Sequence, residues 1–304
     1  MDGGRAVGRE ALFLTIFIAI FIIVFIVTPL NIQRANDEMK EIPPTPSHIL
    51  GTDDLGRDVL YLTEKASYES VKTSFKAGTL SLIVGVLLAY LSTYSQKVRM
   101  ISNLLSSFVL TFPPIFISML VLGISVEKIS MRRQIFEILA VIMMWTLPYQ
   151  NLFRRFSAIE NSDYVKSAIA LGRGRTNIFF SHFLPNSLEI LLESFLSVVT
   201  AIISLEATLG FIGIGIPNSL GEQIRIQFLR SIGYMGILEF FESLLSPFIP
   251  IFVSKSYILA RVVKWKGINM WAFLAPLGNL IAMIIMVKMI ALYANKLVLR
   301  VYQR

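Results

Sequence analysis

Cysteine is absent from this chain of 304 residues, and only two histidines, His48 and His182, are present. Without thiols the chain can form neither a disulfide framework nor a thiolate metal site, and two distant histidines do not favour a metal site of their own. Charged residues make up only 16% of the chain, against about a quarter in an average soluble domain. The sequence also contains no GxxxxGK[ST] phosphate loop and no HExxH motif, so it predicts neither an ATPase nor a zinc hydrolase.

Hydrophobic residues, in contrast, make up 55% of the chain, and its mean hydropathy is +0.67. A soluble domain of this size could not bury that much apolar surface, and a disordered chain needs low hydrophobicity with high charge. The composition therefore predicts an all-α integral membrane protein. The net charge of +8 then reflects basic residues that flank the membrane spans.

Six apolar runs approach the length of about 20 helical residues that a bilayer requires. We predict spans at 11–30, 78–95, about 101–124, about 135–150, about 187–208 and about 271–294. The first run is longer than the apolar region of a signal peptide, so we expect an uncleaved span. A seventh stretch, 232–253, contains two glutamates and two prolines and is predicted to be an interfacial or partly inserted helix pair.

Lysine and arginine at the span ends predict the orientation, because cytoplasmic loops carry an excess of these residues. Six spans with both termini in the cytoplasm place most basic groups there, including Arg5, Lys97, Arg154 and Arg300. Basic residues at 128–133 and 255–266 disagree with this arrangement. In the alternative, 232–253 crosses the membrane and the C-terminus lies outside.

The predicted topology divides the chain into four parts. Residues 1–30 form a cytoplasmic tail and the first span, 31–75 an extracytoplasmic segment, 76–295 the core domain, and 296–304 a second cytoplasmic tail. The core domain contains spans 2 to 6. It also contains a cytoplasmic loop at 151–186 and an extracytoplasmic insertion at about 232–268.

Within the cytoplasmic loop, the spacing predicts a helix over 163–171, capped by Asp163, and a second short helix over about 176–183. The sequence Gly172-Arg173-Gly174 separates them. The helical spacing of three apolar residues predicts one small apolar face, formed by Tyr164, Ala168 and Leu171. This elbow, residues 163–185, is compatible with a helix pair lying on lipid headgroups or with a knob that another protein holds.

The elbow sequence DYVKSAIALGRGRTNIFFSHFLPN closely resembles the cytoplasmic EAA loop of ABC-importer permeases. The Glu-Ala-Ala positions of that pattern are Lys166, Ser167 and Ala168, so Lys and Ser replace the first two residues. The later glycine, isoleucine and Leu-Pro of the pattern are Gly172, Ile178, Leu184 and Pro185. The resemblance implies that these residues, with Asp163, Tyr164 and Leu171, couple the chain to a partner ATPase, chiefly through residues 163–172.

The sequence SHILGTDDLGRDVL, residues 47–60, resembles the signature of the C-subunit type of dipeptide and oligopeptide permeases, with Ile49 replacing Pro. The matching residues that we predict to act at the outer face are His48, Gly51, Thr52, Asp53, Gly56, Arg57 and Asp58. Arg57 lies between Asp54 and Asp58, which predicts an ion-paired surface turn. The segment is either a platform that joins spans 1 and 2 or a docking surface for a binding protein or partner permease.

A third run, LEATLGFIGIGIP at residues 205–217, is similar to another motif of the same family. Its matching residues at the outer end of span 5 are Glu206, Phe211, Gly213 and Gly215. Matching the motif gives Glu206 a structural or gating role. Glu189 and Glu193 lie four residues apart on one helix face, either lining the pore or at the depth of the membrane interface.

The resemblance implies a type I ABC-importer permease fold in the cell membrane and a chain that moves di- or oligopeptides by alternating access. It implies a second permease subunit, two ATPase subunits and an extracytoplasmic solute-binding protein as partners. It further implies that this chain is not itself an enzyme and holds no cofactor, because ATP and Mg²⁺ are bound by the ATPases. One alternative is that the same type of permease imports oligosaccharides or nickel chelates. A second alternative is a different class of protein, an ion-coupled secondary transporter.

Overall fold

The computed structural model describes residues 42, 45–48, 51–53, 55–125, 129–233, 277–278 and 280–290. The predicted first span, both predicted cytoplasmic tails and nearly all of the insertion lie outside these residues. Within them the structure is helical, apart from turns and one isolated antiparallel bridge between Thr52 and Asp58.

The α-helices of the described residues follow one another along the chain. They are α1 (Val59–Tyr94), α2 (Gln96–Thr111), α3 (Pro114–Ser125), α4 (Ile129–Met144), α5 (Thr146–Glu160), α6 (Asp163–Ala170), α7 (Arg175–Ile178), α8 (Leu188–Ile212), α9 (Leu220–Gly233) and α10 (Leu280–Ile290). A π-helical turn, Phe179–Phe183, and a 3-10 turn, Pro185–Ser187, connect α7 to α8.

Three helical stretches in the described part are long and apolar enough to cross a membrane: Val59–Tyr94, Met131–Glu160 and Pro185–Ile212. Helices α2 and α3 meet the same criterion together, as a pair bent by 80°, and α10 is a shorter apolar helix. The structure therefore supports a multi-pass helical membrane protein with three or four candidate spans among these residues.

The predicted span at about 101–124 is two helices rather than one. Phe112, which precedes Pro113, has an extended backbone with φ −100° and ψ 119°. The ring of a proline disfavours the helical conformation for the residue before it, and the proline has no N–H to donate. Two consecutive prolines, Pro113 and Pro114, therefore end α2 and start α3 in a new direction.

Two other helices extend beyond the predicted spans. Helix α1 begins at Val59, so residues 59–75 of the predicted extracytoplasmic segment are helical and continuous with span 2. Helix α5 reaches Glu160, ten residues into the predicted cytoplasmic loop 151–186. Pro148 does not end that stretch, because it lies in the first turn of α5, where a backbone N–H has no partner within the helix.

The chain divides into two compact units. Among the described residues, the first unit contains Val71–Leu205 and those from Ile284 onward, and the second contains those from residue 42 to Ser70 and those within Glu206–Met283. The core of the first unit is an aromatic cluster formed by Ala89, Trp145, Tyr149, Leu152, Phe156, Ile159, Val165, Ile178 and Phe183. In the second unit the end of α8 packs so closely against α9 that a Cβ on Gly221 would overlap the backbone of Ala207.

Candidate functional site

The first helix of the elbow begins one residue before the predicted cap. Ser162 is the N-cap, with extended backbone angles and no capping hydrogen bond from its side chain, and Asp163 is the first helical residue. The Asp163 carboxylate therefore lies in the first turn of α6, where it interacts favourably with the positive end of the helix dipole. Its backbone oxygen accepts a hydrogen bond from the Ser167 hydroxyl at 2.8 Å.

The turn at Gly172 ends α6 with two backbone hydrogen bonds. Gly172 donates to the oxygen of Ile169 at 2.9 Å, and Arg173 donates to the oxygen of Ala168 at 3.1 Å. This pair of bonds is the Schellman motif, and it requires a left-handed residue, here Gly172 with φ 77°. The predicted break at Gly172-Arg173-Gly174 thus reverses the chain through a fixed turn rather than a flexible linker.

One face of the elbow is anchored in the core of the first unit. Val165 of α6, Ile178 of α7 and Phe183 of the π-turn are fully or almost fully buried in the aromatic cluster. Burial of each large apolar side chain contributes about 1.5–3 kcal/mol. The elbow therefore shares one hydrophobic core with α1 and α5, the helices that carry most of the rest of this cluster.

Polar and aromatic contacts reinforce the attachment to α1. The hydroxyl of Tyr90 donates a hydrogen bond of 2.8 Å to the backbone oxygen of Arg175. The Tyr90 ring lies 4.4 Å, centroid to centroid, from the ring of Phe179. The Arg175 guanidinium lies 4.2 Å above the ring of Tyr94, within the range of a cation–π interaction.

The opposite face of the elbow is exposed. Leu171 is 83% exposed, and Tyr164 and Ile169 are each about half exposed, beside the exposed polar residues Lys166 and Ser167. The predicted apolar face of Tyr164, Ala168 and Leu171 does not lie on one side of the elbow, because Ala168 is buried. The apolar residues available to a partner are instead Tyr164, Ile169 and Leu171.

The Leu184-Pro185 pair connects the elbow to α8. Leu184 donates its N–H to the oxygen of Phe179 at 2.9 Å, and Pro185 begins the 3-10 turn. The Arg155 guanidinium of α5 donates two hydrogen bonds, of 3.0 and 2.9 Å, to the oxygen of Asn186. These contacts hold the C-terminal end of the elbow against α5.

The 47–60 segment of the second unit is a compact turn built around two buried carboxylates. The Asp53 side chain, which is fully buried, accepts hydrogen bonds from the N–H groups of Leu55 and Arg57 and from Arg57 Nε at 2.8 Å. Arg57 therefore pairs with Asp53. Asp58, which was one of the two expected partners of Arg57, pairs with His48 instead. Gly51 and Gly56 both have φ 73°, which brings the Asp53 carboxylate back onto Arg57.

Asp58 joins this turn to helix α1. Its Oδ1 accepts the N–H of Tyr61 at 3.1 Å, which makes Asp58 the N-cap of α1. Its Oδ2 lies 2.8 Å from Nδ1 of His48. The structure thus brings the motif residues His48, Asp53, Arg57 and Asp58 together at the start of one long helix.

In the 206–215 motif of the second unit, Glu206 is buried on α8 and Phe211 is partly exposed. Gly213, with φ 94°, ends α8 by a second Schellman motif, in which Ile214 donates to the oxygen of Leu209 at 3.1 Å. Gly215 then passes so close to Gly210 that a Cβ on Gly215 would overlap it. The motif is therefore a tight turn between α8 and α9.

Several residues that shape these sites were not predicted. Tyr90, Phe179 and Phe183 anchor the elbow, and Ser70 accepts a hydrogen bond from the N–H of Leu220 at 3.0 Å. The aromatic pairs Tyr90/Tyr94 and Phe179/Phe183, each spaced by four residues, are the signal that could have identified the anchor. Among the described residues, His, Asp and Glu form no group of three that could hold a metal ion.

The described helices and the elbow between them define an α-helical membrane protein with an exposed, rigidly anchored knob. Residues 81–241 match the family described as "Binding-protein-dependent transport system inner membrane component", which is more than half of the chain. The chain therefore belongs to this family, whose members are the membrane permease subunits of ABC importers and not their ATPases. The resemblance stated from the sequence motifs is confirmed.

Named relatives agree with the family. The chain is 27% identical over 186 residues to the oligopeptide transport system permease protein OppC of Bacillus subtilis, covering 59% of this chain and 58% of that protein. It is 28% identical over 183 residues to the dipeptide transport system permease protein DppC of Alkalihalophilus pseudofirmus, with the same two coverages. The matched region thus spans less than two thirds of each relative.

Proposed function

We propose that this chain is the translocation subunit of an ATP-driven importer of di- or oligopeptides in the cytoplasmic membrane. Family membership supports the class of transporter, and the names of the relatives support the class of solute. The proposed arrangement has six spans with both termini in the cytoplasm. The proposed partners are a second permease subunit, two ATPases and an extracytoplasmic solute-binding protein.

The observation that carries the coupling role is the two-sided elbow. One side is buried in the aromatic core through Val165, Ile178 and Phe183, and the other presents Leu171 with 83% of its surface exposed. An exposed apolar side chain on a rigid base is suited to a pocket in a protein partner. We assign that partner as an ATPase subunit.

In this proposal the ATPases draw together when they bind ATP and displace the elbow. Because the elbow shares its core with α1 and α5, its displacement shifts the spans between inward-open and outward-open states. ATP binding then selects one of two pre-existing conformations, and hydrolysis restores the other. The 47–60 and 206–215 turns lie at the outer face in this arrangement.

Co-purification tests the proposal directly. We expect the tagged full-length chain to co-purify with ATPase subunits from membranes of its host. The substitution Leu171→Asp should reduce the recovered ATPase at least tenfold, because it places a charge in the contact. Leu55→Asp, at an exposed leucine of the 47–60 turn, is the matched control and should leave recovery unchanged. Absence of any ATPase from the wild-type preparation would refute the proposal.

A further inference from the structure

A cavity of about 330 Å³ lies in the second unit, between the start of α1 and the turn that leads into α9. Its volume is at the lower end of the range of small-molecule sites, which begins at about 300 Å³. The polar residues of its wall are Arg57, Asp58, Tyr61, Lys65, Asn218 and Gln223, and Leu62 and Ala66 supply an apolar side.

The guanidinium of Arg57 is held in place at this cavity. Its Nε donates to the buried carboxylate of Asp53 at 2.8 Å, and the Asp53 carboxylate is itself fixed by two backbone N–H groups. The two terminal nitrogens of Arg57 have no hydrogen-bond partner within the part of the chain that the structure describes. A guanidinium that is oriented in this way binds a carboxylate with little loss of side-chain freedom.

Lys65 contributes a second cation to the same wall. The carboxylate of Asp58 does not neutralise Lys65, because its two oxygens already interact with the N–H of Tyr61 and with the ring of His48. No ion pair is formed by Lys65 with any other described residue. The cavity therefore presents two cationic groups, and its own carboxylate is engaged in other bonds.

Gln223 adds an uncharged hydrogen-bond donor to the same wall. The residue is only 7% exposed and lines the cavity, yet its side-chain amide forms no hydrogen bond among the residues that the structure covers. The amide atoms of Gln223 are accessible from the cavity, so a group that enters the cavity can reach them. A ligand oxygen in the cavity would satisfy the amide N–H₂ of Gln223.

We propose that this pocket binds a carboxylate group, supplied by a short peptide or by a small carboxylic acid. A carboxylate accepts about four hydrogen bonds, and Arg57, Lys65 and Gln223 together offer enough donors to fill them. The apolar wall of Leu62 and Ala66 then contacts the hydrocarbon part of the ligand. The peptide as source rests on the proposed function, whereas the carboxylate chemistry rests on the pocket itself.

Titration of the purified full-length chain with defined probes tests this inference. We expect trialanine to bind, and trialanine with an amidated C-terminus to bind at least tenfold more weakly. Lys65→Gln and, as a second variant that removes a different donor, Gln223→Leu should each weaken trialanine binding about tenfold. Lys97→Gln, a lysine in α2 outside the pocket, is the matched control. Propionate binding as tightly as trialanine would identify a small carboxylic acid as the source.

The inference is overturned if neither trialanine nor propionate binds, or if amidation and Lys65→Gln leave trialanine affinity unchanged. Recovery of ATPase subunits with the same preparations separates this inference from the proposed function. ATPase recovery without carboxylate binding refutes the pocket alone. Carboxylate binding without ATPase recovery refutes the transporter role and leaves the pocket.

Discussion

The hydroxyl of Tyr90 donates a hydrogen bond of 2.8 Å to the backbone oxygen of Arg175, and this bond joins the long helix α1 to the second helix of the elbow. The two residues are 85 positions apart in the sequence. The bond ties a candidate membrane span directly to the segment that we propose to contact an ATPase. It is therefore a point at which movement of the elbow can reach the spans.

Tyr90→Phe should weaken this attachment without disturbing the ring packing against Phe179. The loss of one neutral hydrogen bond should lower the free energy of unfolding by about 1 kcal/mol. We expect transport per ATP hydrolysed by the reconstituted complex to fall. Tyr68→Phe is the matched control, because Tyr68 lies in the same helix, outside the elbow contact. Equal transport by Tyr90→Phe and wild type would show that the bond plays no part in coupling.

Gly172→Ala should destabilise the end of α6. No atom lies within 4 Å of a Cβ at this position, so the cost comes from the φ of 77° alone and should be about 1–2 kcal/mol. Gly174→Ala is the matched control, since Gly174 has equally open surroundings and a φ of −64° that alanine adopts readily. Hydrogen exchange of the α6 amides should accelerate in Gly172→Ala only. Equal exchange in the two variants would contradict this assignment of the turn.

The two roles of Asp58 can be separated by substitution. Asp58→Asn retains a good N-cap for α1 but removes the charge beside His48, whereas Asp58→Ala removes both. The capping contribution alone should make Asp58→Ala less stable than Asp58→Asn by about 1 kcal/mol in thermal unfolding. Asp163→Ala, at a first-turn carboxylate without a capping role, should cost less than Asp58→Ala. If Asp58→Asn and Asp58→Ala unfold alike, the cap contributes nothing.

Sequence patterns located the apolar helices and the break in the elbow because both depend on local chemistry. Gly172 directly follows the helical repeat of α6, at the position where helices commonly end in a left-handed residue. The local sequence is therefore enough to predict the turn. The extension of α1 back to Val59 was missed because its first turns contain Glu64, Lys65 and Ser67, and hydropathy identifies only the apolar part of a helix.

The pairings within the sites could not be predicted in the same way. Arg57 was expected to pair with its neighbours Asp54 and Asp58, and Asp54 lies outside the described residues. Asp58 pairs with His48 instead, and the left-handed glycines Gly51 and Gly56 fold the chain so that Asp53 reaches the guanidinium. The contact between Tyr90 and Arg175 and the pocket between Lys65 and Gln223 depend on residues far apart in sequence. A single sequence contains no direct signal for contacts of that range.

The proposed orientation of the chain predicts that the two motif regions lie on opposite sides of the membrane. Because the chain contains no cysteine, single-cysteine variants carry one thiol each. A membrane-impermeant maleimide added outside intact cells or spheroplasts should label Leu55→Cys, and Leu171→Cys should be labelled only after the membrane is opened. Labelling of both positions from the same side would contradict the six-span arrangement.

Cross-linking from the exposed leucine of the elbow tests the central claim most directly. Leu171→Cys, derivatised with a short photoactivatable maleimide in membranes that contain the complete complex, should form a covalent adduct with an ATPase subunit. The yield of this adduct should change when a non-hydrolysable ATP analogue is added, because the contact between the elbow and the ATPase moves with the ATPases. Leu55→Cys should form no such adduct. If Leu171→Cys gives no ATPase adduct while the complex remains assembled, the elbow is not the coupling element.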